Sequence, residues 1–358
     1  MENIIKIWLS QKGMPPSSVL SELYGIMGGT EGIYRASRED YMATGLLTEK
    51  ETDRLCDKST ADAEKIYTEC RIKSIEIMDF FDERYPERLK ELIDAPVLLY
   101  YKGRWKNIDE NISVAVVGQR KATAYGRALA EKTGYTLAQS GSFVISGLAA
   151  GIDGAAHRGA LKADGYTIGV LGTGIDVYYP VENAGLMRTM FQSGLVISEF
   201  PPGTQGRPYN FPRRNRIVSA LSKGVYVVEA ETKSGSLITA RLAREQGRDV
   251  FATVGQSEGC KKLLVSGMAV PVEGAKDIIN YYGGAKPLPK QQSHSEIEGL
   301  SKEENEILRL IALGQDRFEI ARSMKADEAF LNAKLIEMEI KGLVIRTGHF
   351  KYQIPGKD

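Results

Sequence analysis

Val114-Ala115-Val116-Val117-Gly118-Gln119-Arg120-Lys121 places four apolar residues before a glycine and two cations, and from Tyr125 the chain takes up helical spacing. An unbroken apolar run of this length suits a strand buried on both faces, the kind found in parallel sheets. A glycine at the strand end, followed by a helix start, brings backbone N–H groups beside the positive helix end. That is an anion site, and phosphate is its usual occupant. No acidic residue occurs from 111 to 130. The turn at Gly118, Gln119, Arg120 and Lys121 is therefore predicted to attract negative charge.

The same texture recurs on either side. Short apolar runs at 143–146, 167–171, 195–198, 225–228 and 250–253 alternate with amphipathic stretches such as 125–139, 154–163 and 237–246. This alternation predicts an α/β fold with a parallel sheet covered on both faces, whose ligands bind beyond the carboxyl ends of the strands. Residues 1–74 read as a small helical domain, with Leu20, Leu23 and Ile26 on helical spacing and Thr48-Glu49-Lys50-Glu51 resembling a capping box. The polar, aperiodic stretch 284–298 (GAKPLPKQQSHSEIE) is predicted to link the sheet domain, 75–283, to a C-terminal domain, 299–358. Three helical patterns followed by a hairpin pattern at 343–354 predict a winged helix there.

At 358 residues the chain is long enough for more than one core, and its net charge of +1 leaves any nucleic-acid function to local concentration of cations. Cys56, Cys70 and Cys260 are widely spaced, as are His157, His294 and His349. Neither set forms a disulfide framework or zinc-ligand spacing, so no metal or cofactor is predicted and a reducing cytoplasm is the expected compartment. No apolar stretch approaches the roughly 20 residues that span a bilayer, and no membrane partner is expected.

Three further segments carry candidate chemistry. Ser146-Gly147-Leu148-Ala149-Ala150-Gly151-Ile152-Asp153-Gly154-Ala155-Ala156-His157 is another strand end entering a helix. Gly147, Gly151 and Gly154 allow close approach of a ligand or of a neighbouring helix. Asp153 and His157 share a helix face, but no nucleophile lies nearby in sequence. A helix cap and a bond to the next strand are the expected roles. Gly172-Thr173-Gly174 continues as Ile175-Asp176-Val177-Tyr178-Tyr179-Pro180. It does not enter a helix with a third glycine, so dinucleotide binding is not supported.

From 200 to 228 there is no acid, but there are four arginines and Lys223. Tyr209 and Phe211 are interleaved with Arg207, Arg213, Arg214, Asn215 and Arg216. Guanidiniums for phosphates beside rings for bases are what an unpaired strand needs. Some of these arginines are expected to pair instead with Glu199 or Glu229. Finally, Ser234, Gly235 and Ser236 follow the 225–228 strand at a helix start, with amides and hydroxyls suited to an anion. Several such helix starts on one rim exceed what a mononucleotide requires and suit a polynucleotide.

Gly118-Gln119-Arg120, SGLAAGIDGAAHRGAL at 146–161, ISEFPPG at 197–203, NFPRRNRIVSALS at 210–222 and VVEAETKSGSLITARLAREQGRDVF at 227–251 occur in this order. Together they resemble the DNA-processing protein A (DprA, or Smf) family over roughly 75–283. The resemblance implies an extended Rossmann-like domain that binds single-stranded DNA and forms a homodimer. It also implies loading of a RecA-type recombinase in natural transformation. The flanking segments are similar to the family's accessory domains, an N-terminal helical (SAM-like) domain and a C-terminal winged helix. Carried onto this sequence, the first motif's arginine is Arg120 and the basic segment runs from 211 to 216. Gln119 departs from the serine usual in the family, which removes a hydroxyl and keeps the backbone amide.

The expected function is thus non-catalytic binding of single-stranded DNA. Two alternatives stand beside it. A nucleotide phosphoribohydrolase of the lysine-decarboxylase-like type would need a PGGxGT loop, whereas Thr232-Lys233-Ser234-Gly235-Ser236 lacks the PGG. A winged-helix transcription regulator would need a basic recognition helix. Here Lys325, Lys334 and Lys341 are offset by Asp327, Glu328, Glu337 and Glu339, a poor balance for phosphate neutralisation.

Overall fold

The computed structural model of the chain describes residues 1–283 apart from Met14 and Gln256, and then 300–312, 315, 317–324, 326–346 and 352–353. The expected linker, 284–298, and the turn of the expected C-terminal hairpin lie outside the described residues. The chain divides into two compact units, Met1–Leu288 and Pro289–Asp358.

The first unit is built on nine strands: β1 Glu76–Asp79, β2 Leu98–Gly103, β3 Ser113–Gly118, β4 Phe143–Ser146, β5 Thr167–Leu171, β6 Leu195–Ser198, β7 Gly224–Glu229, β8 Asp249–Thr253 and β9 Val270–Val272. Their spatial order is β1-β2-β6-β5-β4-β3-β7-β8-β9. β2 runs antiparallel to both β1 and β6, and every other pairing is parallel. β3 to β8 fall where the apolar runs predict them. β1 and β9 have no such signal: β1 holds only two apolar residues, Ile77 and Met78, between Glu76 and Asp79 at an edge, and β9 is three residues long with Pro271 at its centre.

Side-chain alternation explains the continuous apolar texture. Ala115, Val117 and Ile145 point into one core, covered by helices Asn210–Ala220, Gly235–Glu245 and Glu258–Val265. Val114, Val116 and Val144 point into another, covered by helices Ala124–Gln139, Ile152–Lys162 and Ala275–Tyr281. With both faces buried, each residue of the strand must be apolar. The six helices within 2–72 do not form a separate core. Ile7, Trp8, Leu20 and Leu23 pack in one cluster with Leu98, Tyr100, Leu171 and Val196 of the sheet. Ile26, on the same helical spacing, is exposed. Thr48 and Glu51 cap each other's backbone amides, as the capping-box pattern predicts.

From β3 the chain winds outward through β4, β5 and β6, then returns to place β7 on the other side of β3. Here the strand order reverses, and the carboxyl ends of β3 and β7 open a crevice between divergent connections. The register adds to the opening. Val117 pairs with Val227 but Gly118 pairs with Glu229, so a bulge splays the two strand ends.

In the second unit, helices Lys302–Ala312, Arg317–Met324 and Glu328–Ile340 enclose Ile307, Ile311, Ile320, Leu331, Leu335 and Met338. Two short strands, Ile345–Arg346 and Tyr352–Gln353, pair antiparallel. Among the described residues no helix is long and apolar enough to cross a membrane, and no group of three or more His, Cys, Asp or Glu is placed to hold a metal.

Candidate nucleic-acid interface

Beyond the ends of β3 and β7 lies a cleft of about 600 Å³, lined among others by Gln119, Arg120, Phe211, Asn215, Lys233 and Gly235. Arg120 leaves the turn after β3 with its guanidinium 4.9 Å from the centroid of the Phe211 ring. Among the described residues it has no carboxylate or hydrogen-bond partner, so its donors remain available. Across the cleft, Ser234 caps helix Gly235–Glu245 through a hydrogen bond from the Ser236 amide to its Oγ, 3.4 Å long. A side chain added at Gly235 would meet nothing within 4 Å, so this helix start faces open space. Asn215 Nδ2 donates to the Gly235 carbonyl at 3.5 Å and ties helix Asn210–Ala220 to the same rim. Lys233, exposed and lining the cleft, adds a cation that the sequence reading did not single out; Glu231 is the acid on that rim.

The predicted anion site at the start of helix Ala124–Gln139 is already filled. Glu229, the last residue of β7, accepts from the Thr123 amide at 3.0 Å and from the Thr123 hydroxyl at 3.2 Å. Its carboxylate takes the place a phosphate would take, because the bulge that opens the crevice also turns Glu229 onto this helix end. The Gln119 amide is likewise used, donating to the Glu229 carbonyl at 2.9 Å. What remains of this turn for a ligand is the Arg120 side chain, with Gly118 and Gln119 along the cleft wall. Lys121 is exposed but does not line the cleft.

The 146–157 segment is turned inward. Ser146 is buried and donates to the Val116 carbonyl. The Asp153 carboxylate accepts from the Gly147 amide at 3.1 Å, so it caps the loop before its own helix. Gly147 has to be a glycine because the Arg214 guanidinium occupies the space of a side chain there. Gly151 adopts a φ of +78° and packs against the carbonyls of Gln119 and Arg120. Both glycines thus make room for protein atoms, and the Gly147 backbone still borders the cleft. His157 is fully buried, with Nδ1 2.7 Å from the Thr167 hydroxyl on β5, and burial pushes its pKa down to about 3. It is neutral at any physiological pH.

The basic segment requires the main correction. Residues 210–220 form a helix, and at 100° per residue its successive arginines must diverge. Arg214 points into the fold, is buried, and donates to the carbonyls of Gly147 and Val170. Burial lowers its pKa to about 10, against the favourable charge of Asp153. Arg216 is buried between Glu199 and Asp94, at 2.7 Å from each. Arg213 is exposed, bridges the same Glu199 oxygen at 2.8 Å and leans on the Phe200 ring. Tyr209 is exposed away from the cleft and accepts from Arg207. Of the cluster at 213–216, only Asn215 and one face of Arg214 border the cleft.

Tyr179, which the sequence reading passed over, lies beside this group. Its ring centre is 5.3 Å from that of Phe211 at an interplanar angle of 30°. A smaller cavity of about 380 Å³ opens on its far side, and Arg120, Gly147, Phe211 and Arg214 border both. Arg120, Phe211 and Tyr179 thus stand between two adjoining hollows.

Residues 76–283 match the family model of DNA recombination-mediator protein A. DNA processing protein DprA of Streptococcus pneumoniae is 46% identical over 200 residues, covering 54% of this chain and 70% of that protein. The X-ray structure of DNA processing protein A from Streptococcus pneumoniae matches with a TM-score of 0.64 at 35% identity, over 77% of this chain and 95% of that one. A structure of the Helicobacter pylori protein, concerned with its single-stranded DNA binding mode, matches with a TM-score of 0.53 at 30% identity, over 58% of this chain and 95% of that one. This chain belongs to the DNA recombination-mediator protein A family.

Proposed function

We propose that the cleft at the ends of β3 and β7 binds single-stranded DNA, with Arg120 and Lys233 meeting phosphates and Phe211 and Tyr179 meeting bases. The observation that carries this reading is the free Arg120 guanidinium lying on the Phe211 ring at the mouth of an open cleft. A guanidinium over a ring offers a phosphate partner beside an aromatic surface, which suits a strand whose bases are unpaired. The open helix start at 234–236 adds the Gly235 amide as a donor for a second phosphate, the Ser234 and Ser236 amides being bonded to the Glu231 carbonyl and to Ser234 Oγ. The arrangement favours binding over catalysis: Asp153 is committed to the Gly147 amide and His157 is sealed against Thr167.

The wider reading follows from family membership. The protein acts in the cytoplasm as a homodimer that protects incoming single strands and loads a RecA-type recombinase in natural transformation. The helices within 1–74 are a SAM-like segment sharing a core with the sheet, and residues 299–358 are a winged helix. Fluorescence anisotropy with oligo-dT and with duplex of the same length tests the central claim. Oligo-dT should bind more tightly, with a log–log salt slope of about −0.7 per neutralised phosphate. Equal affinity for both, or release of free base from nucleoside monophosphates, would overturn it.

A further inference from the structure

We infer that the nucleic acid does not end in the main cleft but crosses Phe211 into a second base site, formed by the smaller cavity with Tyr178, Tyr179 and Arg188. This rests on the reading that the main cleft holds single-stranded DNA.

Three observations carry it. The two hollows adjoin, because Arg120, Tyr179 and Phe211 border both. A strand following the cleft therefore meets the second hollow directly after the Phe211 ring. Next, the guanidinium-on-ring arrangement occurs twice. Arg120 lies 4.9 Å from the Phe211 centroid, and Arg188 lies 4.9 Å from the Tyr178 centroid. Among the described residues neither arginine has an ion pair, whereas Arg84, Arg88, Arg213, Arg216 and Arg248 all do. Arg120 borders the second hollow, and the Arg188–Tyr178 pair lies next along the chain from its Tyr179 wall without lining it. Finally, the rings are exposed where a folded core would bury them. Tyr178 is 37% exposed and Tyr179 42%, and Val181 beside them is 78% exposed.

The second hollow has the chemistry of a base site. Leu171, Pro180 and Val181 supply apolar walls, and Tyr179 and Phe211 supply ring faces. Glu182 is the one acid on its border. The nearby Asp176 carboxylate is neutralised by Lys73 at 2.7 Å and holds the Gly203 amide at 2.8 Å. A cation at Arg188 beyond the base is placed for the phosphate that follows it. One nucleotide would sit in the hollow, and the next would stack on Tyr178 under Arg188.

The test uses the full chain and oligo-dT lengthened one nucleotide at a time. Wild type should gain affinity until the second site is filled and then level off. Tyr178→Ala/Arg188→Ala should level off one or two nucleotides earlier and bind the long strand roughly fivefold or more weakly, the low end for a stacked base. Its affinity for the shortest binding strand and its melting temperature should match wild type. Abasic nucleotides at the added positions should abolish the gain in wild type. Identical length curves for variant and wild type, or a gain that survives the abasic substitution, would sink the second site while leaving the first intact. Failure of wild type to bind oligo-dT at any length would remove both.

Discussion

Arg120 and Phe211 meet at one cleft from different elements, a turn after β3 and the helix that starts at Asn210, with the guanidinium over the ring, 4.9 Å from its centroid. Neither residue holds the fold together: Arg120 is exposed and Phe211 is half-buried. Arg120→Ala should therefore lower oligo-dT affinity several-fold, reduce the salt slope by about 0.7 for the lost phosphate contact, and leave the melting temperature unchanged. Arg120→Lys should restore the slope but only part of the affinity, because an ammonium lacks the planar face that stacks on a ring. Anisotropy titrations across a salt series measure both.

Arg214 should behave in the opposite way. Its charge is buried against Asp153, and its donors serve two backbone carbonyls. Removing the side chain takes those donors from two buried carbonyls, Gly147 and Val170, at about 1–3 kcal/mol for each group left unsatisfied. Arg214→Ala should therefore lower the urea midpoint markedly, with loss of DNA binding as a consequence of unfolding. A variant that kept wild-type stability but lost affinity would instead make Arg214 a direct DNA contact.

His157 gives the fold a pH dependence. Burial holds its folded pKa at about 3, below the unfolded value near 6.5. Between these values the unfolded chain binds a proton that the folded chain does not, so stability falls as pH drops below about 6.5 and the loss continues towards pH 3. One such group contributes at most about 1.4 kcal/mol per pH unit. Chemical denaturation at a series of pH values should show a shallower decline for His157→Gln than for wild type. The midpoint of the variant at neutral pH does not matter to this comparison; the slope does.

The sheet was legible because both of its faces are buried. Runs such as 143–146 and 167–171 had to be apolar throughout, and the strands begin and end where the runs do. The edge strands β1 and β9 lack that constraint and carried no signal. The site was legible in part. Arg120, Phe211 and the 234–236 helix start were found because each needs a particular residue type beside a strand end. In the basic segment the expected pairing with Glu199 is present at Arg213 and Arg216, but the helix is not announced locally, because Pro212 sits in its first turn, where its missing N–H costs little. Once the segment is helical, three arginines cannot share a direction. Glu229 was anticipated as a partner for arginine, and its capping of Thr123 depends on a bulge that no local pattern announces. Tyr179 reaches Phe211 only through the packing of its loop against the start of helix Asn210–Ala220, distant in sequence.

The shared cluster of the first 72 residues with β2, β5 and β6 bears on how the chain can be dissected. The segment matching the family begins at residue 76, yet Leu98, Tyr100, Leu171 and Val196 find their cover in Trp8, Leu20 and Leu23. A fragment starting at 76 would keep helix Ala184–Ser193 over part of that sheet face and expose the rest to water and to other fragments, inviting aggregation. For this chain the border drawn by kinship falls inside a hydrophobic core, and a truncation made there would cut through the fold's own interior.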